Sequence, residues 1–458
     1  MDSKKKQKTK EPKEHKKRSA QRDALHAKNW QEYTASVEDI QNFLMDRILL
    51  RHNVITGRAE FRVPYVPPKL GGDRGLNVGI YDDSWQPISD RVVNSLWAEL
   101  SATKKVRAQD VYRVIESDFV PDFNPFTFYL EHLPPWNGED YILGMSVSVT
   151  VKGEVEEQML FAQYLKKWLV GMVAGWVDPQ VVNNVILVLI GEQGSYKTTW
   201  FNYLLPPELR QYFYTKTNSN KMGRDDLLTL AQYGLVCCEE LDTMRPSELN
   251  QLKAAVTMPS IDERAAYAHF HEHRPHIASF CGTGNNIQFL SDPTGNRRWL
   301  PFEIESIESP RDHPFDYENI YAQAYALYQQ GFQFWFSREE ILKLGVHNQT
   351  FEVPQMEREL ISERFRLPCQ GEQGEFVTST DIFQAISGSM VNRLTPNKVG
   401  RAMTDLGFQR MRYNGERGYV VVAYSAEEIK ARQRLKAVNA KPESAPADDA
   451  FDGIDEIF

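Results

Sequence analysis

Apolar positions along the chain fall into two patterns, runs at helical spacing and short continuous runs, and the two alternate through its middle. SVEDIQNFLMDRILLRHN has apolar residues at helical spacing, with Ser36 placed as the N-cap. RAEFRVPYVP then reads as extended, and the Gly/Asp-rich stretch 67–83 as a loop. Helical patterns return in SDRVVNSLWAELSA and AQDVYRVIESD, each opening on a cap-like residue. Pro and aromatics crowd 124–142, NPFTFYLEHLPPWNGEDYI, which reads as a connector without chemistry of its own. QMLFAQYLKKWLVGMVAGWVD, ending at Asp178, is predicted as a strong amphipathic helix. Residues 185–190 form an apolar, β-branched run short enough for a buried strand. A helix over about 198–205, a loop around 215–221 and a helix at DDLLTLAQ follow. GLVCCEELDTM, from Gly234, is a second buried strand ending in acids; SELNQLKAAVTM is helical; HIASFCGTGN, from His276, is a third strand. Strands alternating with helices, each strand ending in polar groups, predict a parallel α/β sheet with ligands at its carboxyl ends.

Beyond the third strand, FDYENIYAQAYALYQQG reads as a helix packed beside this core as a lid, and QTFEVPQMERELISERFRL as a bridge. TSTDIFQAISG and TPNKVGRAMTDLG are two helices, and FQRMRYNGERGYVVVAY is a hairpin turning at Asn414-Gly415. Helix, helix and hairpin predict a winged helix. Lys398, Arg401, Arg410, Arg412 and Arg417 would form its basic face for DNA, with a protein-interaction wing as the alternative. A charged helix after Ser425 runs into the acidic KPESAPADDAFDGIDEIF. The expected division is a basic tail at 1–35, a mostly helical N-terminal and connector region at 36–150, a nucleotide-binding domain at 151–340, a winged-helix-like domain at 341–425, and a charged helix with acidic tail at 426–458.

Composition adds limits. At 458 residues the chain has room for two or three domains, and its formal charge of −9 argues against a uniformly basic coat while leaving room for a local basic channel. Residues 1–28 hold eleven Lys/Arg against four acidic residues with almost no apolar content; such a tail is expected to be disordered, serving solubility or non-specific attraction to nucleic acid. The start has no apolar core of the secretory kind, and no run of about 18 apolar residues would span a membrane. Four cysteines, Cys237, Cys238, Cys281 and Cys369, fit neither metal-ligand spacing nor a disulfide framework; Cys237 and Cys238 read as small core residues, and a reducing cytoplasm is the expected location. The acidic tail ends on Ile457-Phe458, similar to the Phe-terminated tips of bacterial single-strand-binding proteins, so it is either a solvating tail or a docking peptide for a replication partner.

The candidate chemistry begins where the first buried strand ends. Gly191, Glu192, Gln193, Gly194, Ser195, Tyr196, Lys197, Thr198 and Thr199 approximate the phosphate-binding pattern G-x-x-x-x-G-K-[ST]. Glycines allow successive amides to wrap a polyphosphate at a helix N-terminus. Lys197 would reach the β/γ-phosphates of ATP and the Thr198 hydroxyl would hold Mg²⁺. Tyr196 stands where the pattern has glycine. Glu239, Glu240 and Asp242 follow the second strand: Glu239 is placed on the metal side through water, Glu240 as the base, and Asp242 as an alternative for either. Asn285, at the end of the third strand, is placed to orient a water against the γ-phosphate. Arg297 and Arg298 suit an arginine finger delivered to a neighbouring subunit's nucleotide, with no choice between them. SIDERAAYAHFHEHRPH reads as a hairpin with His269, His271 and His273 on one face. Without a second ligand cluster, His271, His273 and Arg274 are placed against a nucleic-acid backbone rather than a metal.

With these motifs in order, the chain resembles the virulence-associated E (VapE) family of phages and integrated mobile elements. The residues that carry the likeness are GEQGSYKTT, EELD, CGTGNN and DPTGNRRW, within roughly 124–305. The compact spacing from Gly191 to Asn285 is similar to superfamily 3 helicases. The resemblance implies an AAA+-like P-loop ATPase core, helicase activity with ATP and Mg²⁺, a homo-oligomeric ring, and movement on single-stranded or forked DNA during replication of the element. Members often carry an N-terminal primase domain, for which this chain is expected to have no room, so any priming would come from another protein. The alternative is a nucleotide-gated DNA-binding or regulatory protein that does not unwind.

Overall fold

Local capping sets the first element. Ser36 Oγ accepts from the Asp39 amide at 3.1 Å while the Asp39 carboxylate accepts from the Ser36 amide at 2.9 Å, a reciprocal cap that starts α1 (Val37–Arg47). The computed structural model describes residues 34–63, 84–216, 224–263, 272–291, 296–353, 356–369, 371–387 and 394–439. The basic start, the Phe-terminated tip and the whole of the predicted 67–83 loop lie outside them.

The helix stops earlier than its periodicity suggests. Ile48 turns extended, and LLRHN becomes β1 (Leu49–Asn53), paired antiparallel with β2 (Arg58–Arg62). β3 (Gln86–Pro87), α2 (Asp90–Ser101), α3 (Ala108–Ile115) and β4 (Asp122–Phe123) complete a sheet of order β3-β2-β1-β4. A region expected as mostly helical is thus a mixed sheet carrying helices, joined by Leu44, Phe61, Leu96 and Val111. The expected caps of α2 and α3 are not made: Ser89 forms no capping hydrogen bond, and Arg107 holds the cap position of α3.

α4 (Pro125–Glu131), capped by Asn124, leads through α5 (Tyr141–Ser146) and β5 (Val149–Val151) to α6 (Val155–Val177). Next come β6 (Ile186–Ile190), α7 (Lys197–Leu204), β7 (Phe213–Lys216), α8 (Arg224–Gln232), β8 (Leu235–Cys238), α9 (Pro246–Val256), β9 (Ser260–Glu263), β10 (Glu272–Pro275) and β11 (Ser279–Gly284). β12 (Trp299–Ile307), α10 (Tyr317–Gln329) and α11 (Arg338–Asn348) follow. The main sheet runs β5-β12-β6-β11-β8-β7; β12 to β7 are mutually parallel, and β5 is an antiparallel edge.

Both faces of this sheet are covered, which explains the unbroken apolar run of β6. Leu187 and Leu189 enter the core on the α6 side, and Ile186, Val188 and Ile190 enter the core that holds Leu230, Leu249 and Leu252. α6 is not amphipathic where it matters: from Trp168 to Trp176 every residue is buried, because the sheet lies on one side and α10 on another. Trp168 Nε1 donates to Phe280 O at 3.0 Å and Trp176 Nε1 to Gly234 O at 3.2 Å, so both indoles enter the core with their N–H groups satisfied. α10 is part of that core rather than a lid: Tyr321 stacks on Trp176 at 5.7 Å and donates to Leu204 O at 2.8 Å.

The chain divides into two compact units, Met1–Glu352 and Val353–Phe458. The second holds α12 (Met356–Arg364), β13 (Phe365–Arg366), β14 (Glu375–Thr378), α13 (Ser379–Ser387), α14 (Pro396–Asp405), β15 (Arg410–Tyr413), β16 (Glu416–Ala423) and α15 (Ala426–Asn439). The hairpin turns at Asn414 and Gly415, with φ of 49° and 85°, the pair of left-handed residues a tight two-residue turn requires. Ile382, Val399, Met403, Tyr419 and Val421 form the core of this unit. Among the described residues no helix is long and apolar enough to cross a membrane.

Candidate functional site

The carboxyl ends of β6, β11 and β8 lie side by side, and the polar residues that follow each strand meet there. β6 runs straight into Gly191, whose amide donates to Gly284 O at 3.2 Å. A Cβ on Gly191 would lie 2.7 Å from Ile304 Cγ1 of β12, so the loop can leave the strand only as glycine. Gly194 sits at φ +87° and Tyr196 at φ 61°, ψ 11°. Tyr196 thus adopts the left-handed backbone natural to the glycine of the pattern, as a residue 46% exposed, and its carbonyl accepts from Trp200 N at 2.7 Å to start α7.

Lys197, the first residue of α7, is buried beneath the loop. Its Nζ donates to Gly191 O at 2.8 Å, Glu192 O at 2.6 Å and Ser195 Oγ at 3.2 Å, and reaches Asn285 Oδ1 at 3.4 Å. Burial pushes its pKa below the usual lysine range, opposed by the Asp242 carboxylate. One residue on, Thr198 Oγ1 donates to Glu239 Oε1 at 2.8 Å. The loop is thereby tied to the acids after β8 and to the asparagine after β11. A buried amine, a hydroxyl and a carboxylate within one cleft are the hard-donor and cationic groups that suit a magnesium–triphosphate.

The three acids differ in place. Glu239 faces Thr198; Glu240 is exposed and left-handed at φ 53°. Asp242 turns the other way: its two oxygens accept from the Asn285 amide at 3.3 Å and the Asn286 amide at 3.1 Å. The close approach depends on Gly284, where a Cβ would lie 3.2 Å from Asp242 Oδ1. The sequence offered Asp242 as an alternative metal ligand or base; in the structure it fixes the backbone that presents Asn285. Lys216 was missed. This 7%-exposed lysine ends β7, level with Cys238, in a stretch read as loop because FYTK is short and half polar.

Arg297 and Arg298 are not brought to this cleft. They precede Trp299, which is level with Ile186 at the amino end of β6, whereas Glu303 is level with Ile190. Four residues of strand at about 3.3 Å each put them roughly 13 Å along the sheet from the loop. Arg297 is exposed and Arg298 half-buried, with burial and Arg297 holding the Arg298 pKa below its usual range.

The expected hairpin exists as β9 and β10, with Arg274 level with Ile261. His269 and His271 lie outside the described residues. His273 is exposed and pairs with Asp262 at 2.7 Å. Arg274 is engaged inside the fold, donating to Val54 O at 3.3 Å and to Ile55 O. Among the described residues no group of three or more His, Cys, Asp and Glu could hold a metal ion. In the second unit Lys398 pairs with Glu357 at 3.6 Å, and Arg401 and Arg412 are exposed.

Residues 130–353 match the Virulence-associated protein E-like domain. No curated protein matches the chain. Among solved structures it is similar to the apo structure of the NrS-1 C-terminal region (305–718), with 11% identity, 84% of this chain and 98% of that one covered, and a TM-score of 0.43. An A-form apo structure of the same region gives a TM-score of 0.42 at 11% identity and the same coverage of both chains.

Proposed function

Because the chain carries a virulence-associated protein E-like domain over residues 130–353, we propose that it is an ATP-dependent DNA motor, a replication helicase of a mobile element or phage. The observation that carries this reading is the convergence of three separated segments, 191–198, 239–242 and 285, joined by the Lys197–Asn285 and Thr198–Glu239 hydrogen bonds. The sheet order supports it. β11 lies between β6 and β8, so Asn285 stands between the phosphate-type loop and the acids, as a P-loop ATPase of AAA+ type needs.

In this reading the 191–196 loop wraps the phosphates of ATP and Lys197 meets the β- and γ-groups. Thr198 and Glu239 hold a hydrated Mg²⁺, which supplies charge neutralisation on the phosphates. Glu240 takes the proton of the attacking water, Asn285 orients that water, and Asp242 positions Asn285. Arg297 or Arg298 reaches the nucleotide of the next subunit in a ring. The second unit, with its α12-β14-α13-α14-β15-β16 order, acts as a winged helix whose Lys398, Arg401 and Arg412 face DNA.

The test is steady-state ATP hydrolysis with and without single-stranded DNA. The motor predicts DNA-stimulated turnover that Lys197→Ala abolishes and Glu240→Gln lowers at least a hundredfold. Turnover that survives both substitutions refutes the site assignment. A second reading, a nucleotide-gated DNA-binding protein without unwinding, is favoured by Tyr196, an exposed bulky residue in the left-handed position at the start of α7 where the pattern has glycine; ATP binding without turnover supports it.

A further inference from the structure

We propose that the second unit holds a phosphodiester seat, a cleft that grips one or two consecutive phosphates of a DNA backbone through Arg401, Arg410 and Arg417. This deepens the DNA-binding part of the reading above and rests on it. The cleft, of about 490 Å³, lies between the amino end of α13, the length of α14 from Pro396 to Asp405 and the β15–β16 hairpin, and its lining includes all three arginines with Ser379 and Thr404. Asp405 is also part of the lining.

The register shows why the arginines gather there. Arg410 lies opposite Tyr419 and Arg412 opposite Arg417, so these four share one face of the hairpin. Tyr419 fixes where that face points: it is buried, and its hydroxyl donates to Gly400 O on α14 at 2.9 Å. Gly400 in turn lets α14 lie close to α13, since a Cβ there would be 3.2 Å from Ser379 Oγ. The floor of the cleft is therefore fixed by packing, and the guanidinium groups stand around it.

The charge arrangement calls for an anion. Arg412 and Arg417 face each other directly across the strand pair, a like-charge placement that destabilises a hairpin. Among the described residues the Arg401, Arg410 and Arg417 side chains have no hydrogen-bond or ion-pair partner. Planar guanidinium forks suit the paired oxygens of a phosphodiester, and the Ser379 hydroxyl adds a neutral donor, whereas Thr404 donates its own proton to Gly400 O at 3.1 Å. Asn397 also lines the cleft, and its side-chain amide can donate to a phosphate oxygen as well.

The experiment uses the full chain without nucleotide, a fluorescent duplex of arbitrary sequence and an equally long single strand, with binding followed by anisotropy over a salt series. R410Q/R417Q should weaken DNA binding about tenfold or more and flatten the slope of log K against log salt by about 1 to 2. R410K/R417K, which keeps the charge, should retain most of the affinity and checks that the fold survives. ATP hydrolysis measured without DNA should be the same in R410Q/R417Q as in the unmodified chain, separating failure of this proposal from failure of the ATPase reading. Unchanged affinity and slope in R410Q/R417Q overturn the proposal. So does displacement of the DNA by millimolar inorganic phosphate beyond that caused by potassium chloride of equal ionic strength, which would mark a seat for a free anion.

Discussion

Two side chains at the candidate site hold a backbone conformation usually left to glycine: Tyr196 at φ 61° and Glu240 at φ 53°. For an L-residue this costs about 1–2 kcal/mol, and such residues cluster where function holds them. They bracket the proposed nucleotide, one at the end of the loop and one among the acids. Tyr196→Gly removes the steric cost and adds back some unfolded-chain entropy, so thermal unfolding should show a gain of up to about 1 kcal/mol. A loss of stability instead would show that the tyrosine ring contributes contacts that outweigh its backbone. The same variant separates the two functional readings. Turnover that rises in Tyr196→Gly identifies the ring as a brake on the loop, whereas unchanged turnover assigns it no such role. Asp242 shows how a residue's part can be invisible in sequence. A carboxylate three residues beyond Glu239 is as good a metal ligand on paper as Glu239 itself, and only the amides of Asn285 and Asn286 reveal that it braces the turn.

Elements were legible where one period dominated the local sequence. β6 and β8 are apolar on both faces, and their continuous runs announce it; β11 is buried along its whole length although it carries Ser279 and Thr283. β12 was hidden by Pro301, a residue that argues against a strand. It is tolerated because β5 pairs with β12 only from Ile304 onward, leaving Pro301 with a strand on one side alone. β1 was hidden by continuity, since ILLRHN extends the helical spacing of α1 and only tertiary pairing with β2 breaks it. The link from β10 to β11 carries a prediction. His276, buried there, has Nδ1 2.7 Å from Met258 O, so Nδ1 is the donor, and Nε2 has no partner. Burial holds its pKa below the ordinary histidine value. The unfolded chain therefore binds the proton first: stability is full above about pH 6.5 and falls as pH drops through that value towards the folded one. Melting temperature should decline from pH 7 to 5, and His276→Asn, which keeps a donor to Met258, should shrink that decline. An identical pH profile in the variant would place the acid sensitivity elsewhere.

At the scale of the whole molecule, the groups proposed for catalysis do not all reach one cleft. The loop and Asn285 stand at the carboxyl ends of the parallel strands, and the acids follow β8 at the same end, while Arg297 and Arg298 stand at the amino end of β12. A rigid sheet cannot bring both ends to the same nucleotide, so the arginines act on a site only if a second copy presents them, as a head-to-tail ring does. Asn296 keeps them at that edge, its amide donating to Glu352 at 2.8 Å while its carbonyl accepts from Asn348 at 2.8 Å. This division predicts complementation. Lys197→Ala and Arg297→Ala/Arg298→Ala should each lose DNA-stimulated ATP hydrolysis when assayed alone. Co-assembled in equal amounts, an interface is intact wherever the arginine variant supplies the loop and the lysine variant supplies the arginines, about a quarter of random head-to-tail interfaces. Hydrolysis should recover towards that fraction and vary with the mixing ratio, greatest at equal amounts. If the mixture stays as inactive as its components, although co-purification shows that they assemble, the arginines do not act across a subunit boundary. If the arginine variant alone hydrolyses ATP at the unmodified rate, they take no part in turnover at all.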